Sequence, residues 1–379
     1  MVSSAGTYDC VVVGGGVVGL SAAWELAGTG LKVAVLDQAA PGKESSWAGA
    51  GMLPPGNLAQ ARTGEERLRS LSHELWPQWA ATLLAETGID PGFRREGGLE
   101  IRLGGSSQAL DEEIRSWHAA GVECHPLAPQ AAQALEPALT SRVIAAYHLP
   151  AFGQVRNPRL LKALQAGCAA RGVCVFPGTP AWQWDRAGAR VERLHTPEGP
   201  FAAAQFVVAA GAWSEPLLAA LGPAPWVRPM RGQIVLLNQP AGPDGPPLLR
   251  RPINLGHNYL VPRGDGRVLV GSTEEDVGYD RRNTAAGVAG LLELACQVAP
   301  SLATSTIERT WAGLRPRSID GLPYLGKTAA ASNVVIATGH FRAGLQLSPA
   351  TARLVRNLVC DEPPAIPLEA FDPARVGAD

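Results

Sequence analysis

The sequence predicts an α/β protein: a Rossmann-like βαβ domain interrupted by an α+β unit built on a mixed, largely antiparallel sheet. Three observations carry this. Residues 8–37 read as apolar run, glycine turn, amphipathic helix, apolar run and acid. A buried strand pattern returns at 333–338, followed by a helical pattern at 348–359. Between these ends, residues 226–275 alternate short apolar runs with Gly/Pro/Asp turns, as antiparallel strands do.

The opening unit is the most specific. Residues 10–13 are apolar and mostly β-branched, and they run straight into Gly14-x-Gly16-x-x-Gly19. Gly14 permits the tight turn out of the strand. Gly16 lets a pyrophosphate approach the backbone, and Gly19 lets the helix of residues 17–27 lie close to the sheet. The helix start offers unpaired N–H groups and a positive dipole end to phosphates. The second apolar run, 32–36, ends on Asp37, 18 positions after Gly19. A carboxylate there accepts both ribose hydroxyls and disfavours a 2′-phosphate. Together these parts predict a site for the ADP half of a dinucleotide.

Residues 39–57 are rich in Gly, Pro and Ser and show no obvious element, so they are read as a functional loop. Leu68, Leu71, Leu75, Trp79 and Leu83 recur at helical spacing, and Pro77 is expected to kink or divide that helix. Its aromatic stripe reads as core. A strand is expected at 99–103, helices at about 108–120 and at 159–171, a strand at 173–176 and a hairpin over 181–195. Residues 206–214 read as a buried strand ending in a small-residue turn and a helix start. Strands at 233–237, 257–262 and 268–271 and a helix at about 284–298 complete the inserted unit. The expected division is a discontinuous dinucleotide domain of residues 1–85, 150–222 and 310–379, with a substrate domain of 86–149 and 223–309. A dinucleotide domain assembled from such distant segments suits the long, extended FAD better than NAD. The single GxGxxG leaves no docking unit for a second dinucleotide.

A net charge of −1 and the absence of any basic run give no electrostatic case for nucleic acid or an anionic membrane. No stretch of about 18 apolar residues occurs, and residues 1–7 lack a charged leader region. A soluble, cytoplasmic protein is the expectation. The six cysteines, Cys10, Cys124, Cys168, Cys174, Cys296 and Cys360, form no CxxC pair and read as small apolar fillers in a reduced compartment. Neither they nor the seven histidines show metal-ligand spacing, so no metal is expected.

Five stretches carry a resemblance: GGGVVG at 14–19 with Asp37, SSWAGAGM at 45–52, AAGAWS at 209–214, WAGLRPRSIDGLPYLG at 311–326 and ATGHFRAGLQLSPAT at 337–351. They resemble the D-amino-acid oxidase-like flavoprotein superfamily and, within it, the glycine oxidases of thiamine-thiazole synthesis. The likeness covers nearly the whole chain, and WAGLRP at 311–316 and GHFRAG at 339–344 are its most specific parts. It implies an FAD-binding, glutathione-reductase-like domain and non-covalent FAD, since no cysteine lies between Cys296 and Cys360, where a flavin-linked cysteine would be sought.

The resemblance places cofactor contacts on Gly14, Gly16, Val17, Val18, Gly19, Asp37, Gln38, Ser45, Ser46, Ala50, Gly51, Met52, a backbone position near Ala181, and His340, Phe341, Arg342, Ala343, Gly344, Leu345 and Gln346. It places the substrate carboxylate at Arg315, with Tyr259 and Arg342. A guanidinium fork suits a carboxylate because it gives two parallel hydrogen bonds. Without the resemblance, Arg315 reads as a structural or solvated arginine in a proline-rich loop, Tyr259 as strand packing and His257, two residues earlier on the same strand face, as a satisfied histidine. Three departures stand out: Asp37 where relatives often carry Glu, Ala343 where they often carry Asn, and Glu274 where some carry an apolar residue. Glu274 would meet the substrate amine or face water.

The implied activity is FAD-dependent oxidative deamination of glycine and small amines (sarcosine, small D-amino acids) to imine or 2-oxo acid, ammonia and hydrogen peroxide. The glycine imine would feed thiamine-thiazole synthesis, with O₂ as acceptor and a homotetrameric assembly. The competing reading is a D-amino-acid or sarcosine-type dehydrogenase using another acceptor. No side chain reads as a general base; alignment and electrostatics are expected to do the protein's share.

Overall fold

A computed structural model describes residues 7–104, 108–238 and 247–375, so most of the stretch 1–7 lies outside the described residues. Five parallel strands lie side by side in the order Cys174–Phe176, Val33–Leu36, Thr7–Val13, Gly199–Val208 and Ala331–Thr338. Tyr324–Thr328 closes that edge antiparallel. The first residues of Gly199–Val208 instead pair with the hairpin Gln183–Ala187/Arg190–Thr196. These strands are covered on both faces, which is why the central ones read as unbroken apolar runs. On one face the helices Val17–Ala27, Gly64–Thr87, Asn157–Ala170 and Ser348–Val359 bury Trp24, Trp76 and Trp79. On the other face Tyr8, Phe176, Trp184, Phe201 and Phe206 form a second core beneath the hairpin.

A second sheet runs in the order Thr306–Ser318, Val227–Asn238, Arg267–Gly271, Asn258–Pro262, Ile253–Leu255, Gly98–Arg102, Ala145–Leu149, His125–Leu127. It is antiparallel except where Ile253–Leu255 meets Gly98–Arg102. The helix Ala285–Val298 packs its apolar side on this sheet. A small patch of Met52–Leu53, Gly153–Gln154 and Arg94–Arg95 lies apart from both sheets.

Several expectations change. The helix Gly64–Thr87 is unbroken despite Pro77. Proline at 77 has no N–H for the carbonyl of residue 73, and the Arg95 guanidinium takes that carbonyl instead. The loop 39–57 holds a short helix, Ser45–Ala48, and the strand Met52–Leu53. The stretch 311–316 is not a loop. It lies on Thr306–Ser318, an edge strand paired along its length with Val227–Asn238, Arg315 opposite Met230. His257 lies before the strand Asn258–Pro262, in the turn, and is exposed. Among the described residues no helix is long and apolar enough to cross a membrane.

Candidate active site

The parallel strands end on one edge of their sheet, and a cavity of about 360 Å³ opens there, lined by Val13, Leu36, Ala209 and Thr338. The carboxyl edge of such a sheet is where ligands of doubly wound folds bind. The cavity continues to the second sheet, where Ile234, Tyr259 and Arg315 line its far end.

At the near end the chain turns at Gly14, whose φ of +107° suits glycine. Its N–H donates to the Leu36 carbonyl at 2.7 Å. Gly16, Val17 and Val18 line the cavity at the start of the helix Val17–Ala27, whereas Gly19 does not. A Cβ on Gly19 would sit 1.8 Å from the Gly14 carbonyl oxygen, so this glycine sets the helix-to-turn distance. Ser46 Oγ accepts the Val17 N–H at 2.9 Å. Asp37 follows the strand Val33–Leu36. Its two carboxylate oxygens accept the Gly15 and Ala39 N–H groups at 2.7 and 2.8 Å. Burial raises its pKa, and those two N–H groups oppose the rise. Gln38 and Ala181 line the same end.

The middle of the cavity is walled by the segments 45–52 and 339–346. Both are fixed by close backbone approach. Gly51 has φ +70°, and a Cβ there would lie 2.1 Å from the Val155 carbonyl oxygen. A Cβ on Gly313 would lie 2.6 Å from Ala48 Cβ, so the short helix rests directly on the strand Thr306–Ser318. Trp311 Nε1 donates to the Ala48 carbonyl at 3.0 Å. Arg263, almost wholly buried, donates from Nη2 to the Ala50 carbonyl at 2.7 Å and from Nη1 to Gln154 at 2.8 Å. Sequence reasoning missed it, because VPRGDGR reads as an exposed turn. Opposite, Gly339 and Phe341 take φ of +76° and +45°, and the Phe341 N–H donates to the Pro316 carbonyl. The Gln346 carbonyl accepts Trp76 Nε1 at 2.9 Å. His340 is 2 % exposed, its Nε2 meets Thr351 Oγ1 at 3.0 Å, and burial pushes its pKa down to about 3.

At the far end Arg315 Nη1 donates to the Thr273 carbonyl at 3.1 Å and Nη2 to Ser272 Oγ at 2.6 Å. Its guanidinium lies over Gly232, where a Cβ would fall 2.2–2.4 Å from three of its atoms. The Tyr259 ring lies over Gly271 in the same manner, 2.6 Å from where a Cβ would be. Desolvation pulls the Arg315 pKa below its ordinary value, and the nearby Tyr259 opposes this. Arg342 also lines the cavity, but it is bound to Glu274 and to the His257 carbonyl. Of the residues expected at the site, Gly19 alone lies off the cavity wall.

The whole is an elongated cavity with a helix N-terminus and an acid at one end and a guanidinium at the other. Its middle is walled by the small residues 48–51 together with Met52, Phe341, Leu345 and Gln346. The near end fits an ADP-ribosyl group and its pyrophosphate: Asp37 is held in place by two N–H bonds with lone pairs to spare for hydroxyls, and Gly16 carries no side chain into the space. The glycine-built middle leaves room for a flat ring.

Comparison with known proteins gives the family and the fold. The model of the family described as FAD dependent oxidoreductase (DAO) matches residues 9–358. The glycine oxidase of Pseudomonas putida is 35 % identical over 372 residues, 96 % of this chain and 97 % of its own. The crystal structure of glycine oxidase from Geobacillus kaustophilus, at 32 % identity, covers 98 % of this chain and 100 % of its own with a TM-score of 0.92. That of iminodiacetate oxidase from Chelativorans, at 28 % identity, covers 96 % and 98 % with a TM-score of 0.84.

Proposed function

We propose that this chain, which belongs to the DAO family of FAD-dependent oxidoreductases, oxidises glycine and similarly small amines to the imine, with 2-oxo acid, ammonia and hydrogen peroxide as final products. The observation that carries the reading is Arg315. It is a guanidinium with only neutral hydrogen-bond partners, at the end of a dinucleotide-shaped cavity and away from its phosphate end. When bound, FAD supplies the two-electron acceptor.

The assignments are as follows. Val17 and Val18 at the helix start, with Ser46, hold the pyrophosphate, and Asp37 holds the ribose. The segments 45–52 and 339–346 hold the ring. Arg315 binds the substrate carboxylate through two parallel N–H bonds and Tyr259 adds its hydroxyl, so the Cα is held in one orientation. His340 is buried, its Nε2 is engaged with Thr351 Oγ1 and its pKa is lowered to about 3, which makes it a weak base toward the amine. We take the substrate to react as the free amine, with no side chain assigned as its base. We place the reaction in the cytoplasm, in a homotetramer, with the glycine imine passing to thiamine-thiazole synthesis.

The test is anaerobic mixing of the yellow holoenzyme with glycine, sarcosine and D-alanine. The expected result is bleaching of the visible flavin band, and peroxide equal to amine consumed once air is admitted. Dye reduction without peroxide would make it a dehydrogenase. No bleaching with any amine would end the reading.

A further inference from the structure

The carboxylate end of the cavity holds two guanidiniums, but only one is open for business with an anion. Arg342 Nη1 donates to Glu274 at 3.1 Å, and its Nη2 donates to the His257 carbonyl at 2.5 Å. Arg315 has the Thr273 carbonyl and the Ser272 hydroxyl, both uncharged. Two guanidiniums and one carboxylate leave a net single positive charge, the match for one substrate carboxylate. Glu274 directly follows the Ser272–Thr273 pair that holds Arg315, so one short segment positions both the anchor and the charge that cancels its neighbour. Arg342 and Glu274 both act on the Arg315 guanidinium in opposite senses, which places all three within electrostatic reach.

We infer that Glu274 determines substrate specificity: by holding Arg342 it restricts the site to amines bearing one carboxylate. A second carboxylate entering beside Arg342 meets a partner already engaged and the like charge of Glu274. That is discrimination by repulsion as well as by lost attraction. The fold itself admits dicarboxylate amines, as the iminodiacetate oxidase relative shows. The inference rests on Arg315 being the carboxylate anchor.

The test compares holoenzyme as wild type, Glu274→Gln, Glu274→Asp and Glu274→Gln with Arg342→Met, at one ionic strength. For each, kcat/KM is measured for glycine and for iminodiacetate. Glu274→Gln should raise the iminodiacetate-to-glycine ratio by about tenfold, the scale of one gained charge-assisted bond. Glu274→Asp should keep the wild-type ratio, and the double variant should lose the gain. Titration of the flavin spectrum with acetate and with malonate reads the same preference without turnover, and Glu274→Gln should favour malonate by a similar factor. Glu274→Ser serves the same arm should the glutamine variant fail to fold. An unchanged ratio and an unchanged malonate preference would overturn the inference. Failure of glycine to bleach wild-type flavin would instead sink the proposed function, and the acetate and malonate titrations would still decide the role of Glu274.

Discussion

Arg315 owes its position to what its neighbour lacks. Gly232 leaves the space in which the guanidinium lies, and the atoms that a methyl would strike are the movable end of the arginine, not backbone. Gly232→Ala should therefore raise KM for glycine by roughly tenfold or more, because the displaced fork loses its parallel bonds, with a smaller loss of melting temperature from the Thr273 and Ser272 bonds it gives up. Arg315→Lys keeps the charge but not the fork, and should lower kcat/KM by roughly 10–100-fold, with Arg315→Ala lower still. Steady-state kinetics beside thermal melts check all three. His340 makes a pH prediction. Folding pulls its pKa from 6.5 down to about 3, so below about 6.5 the unfolded chain binds a proton that the folded one refuses. Its contribution to stability is untouched above that pH and is lost as pH falls from about 6.5 toward about 3. His340→Gln should flatten this limb in melts taken at neutral and at mildly acidic pH. The arginine was legible from its motif, but its bed was not: nothing in MRGQIV marks Gly232 as lying beneath a side chain 83 positions away.

The same contrast holds for whole elements. Val33–Leu36 and Thr7–Val13 were legible because a strand covered on both faces needs an unbroken apolar run. Thr306–Ser318 was not, since it lies at the sheet's edge, pairing along its length only with Val227–Asn238 apart from one bridge of Arg317 to His340, and carries Glu308, Arg309, Arg315 and Pro316. An edge strand tolerates such residues, and proline in particular. Pro77 misled in the other direction, because Arg95 lies beyond the reach of any local pattern. The loop 39–57 stood out in the sequence by its length and composition, but the brace of its segment 45–52 did not. Arg263 lies 213 positions from Ala50 and 109 from Gln154, and its burial follows from packing alone. Arg263→Met would leave the Ala50 carbonyl and the Gln154 side chain without this donor. We expect a stability loss on the order of 1–3 kcal/mol and flavin released more readily on dilution. Urea unfolding and ultrafiltration of released flavin measure the two effects.

At the scale of the molecule the cavity is bounded by both large sheets, with Val13 and Thr338 from one and Ile234 and Arg315 from the other. A ligand filling it binds the folded state alone. Free FAD at about 100 times its Kd should add about 2.7 kcal/mol to stability, seen as a higher melting temperature than the flavin-stripped protein under otherwise equal conditions. Which strands pair was partly legible from apolar runs and turns, while the meeting of the two sheets around one cavity was not, since it is fixed by contacts hundreds of residues apart. The wall includes residues from Val13 to Gln346. A nascent chain emerging from the ribosome already displays its phosphate turn after some dozens of residues, yet has no place for the ring until the last of these segments is out. Cofactor loading must therefore be a late step of biogenesis, and prematurely terminated chains should emerge colourless however well their opening strand–turn–helix unit has formed.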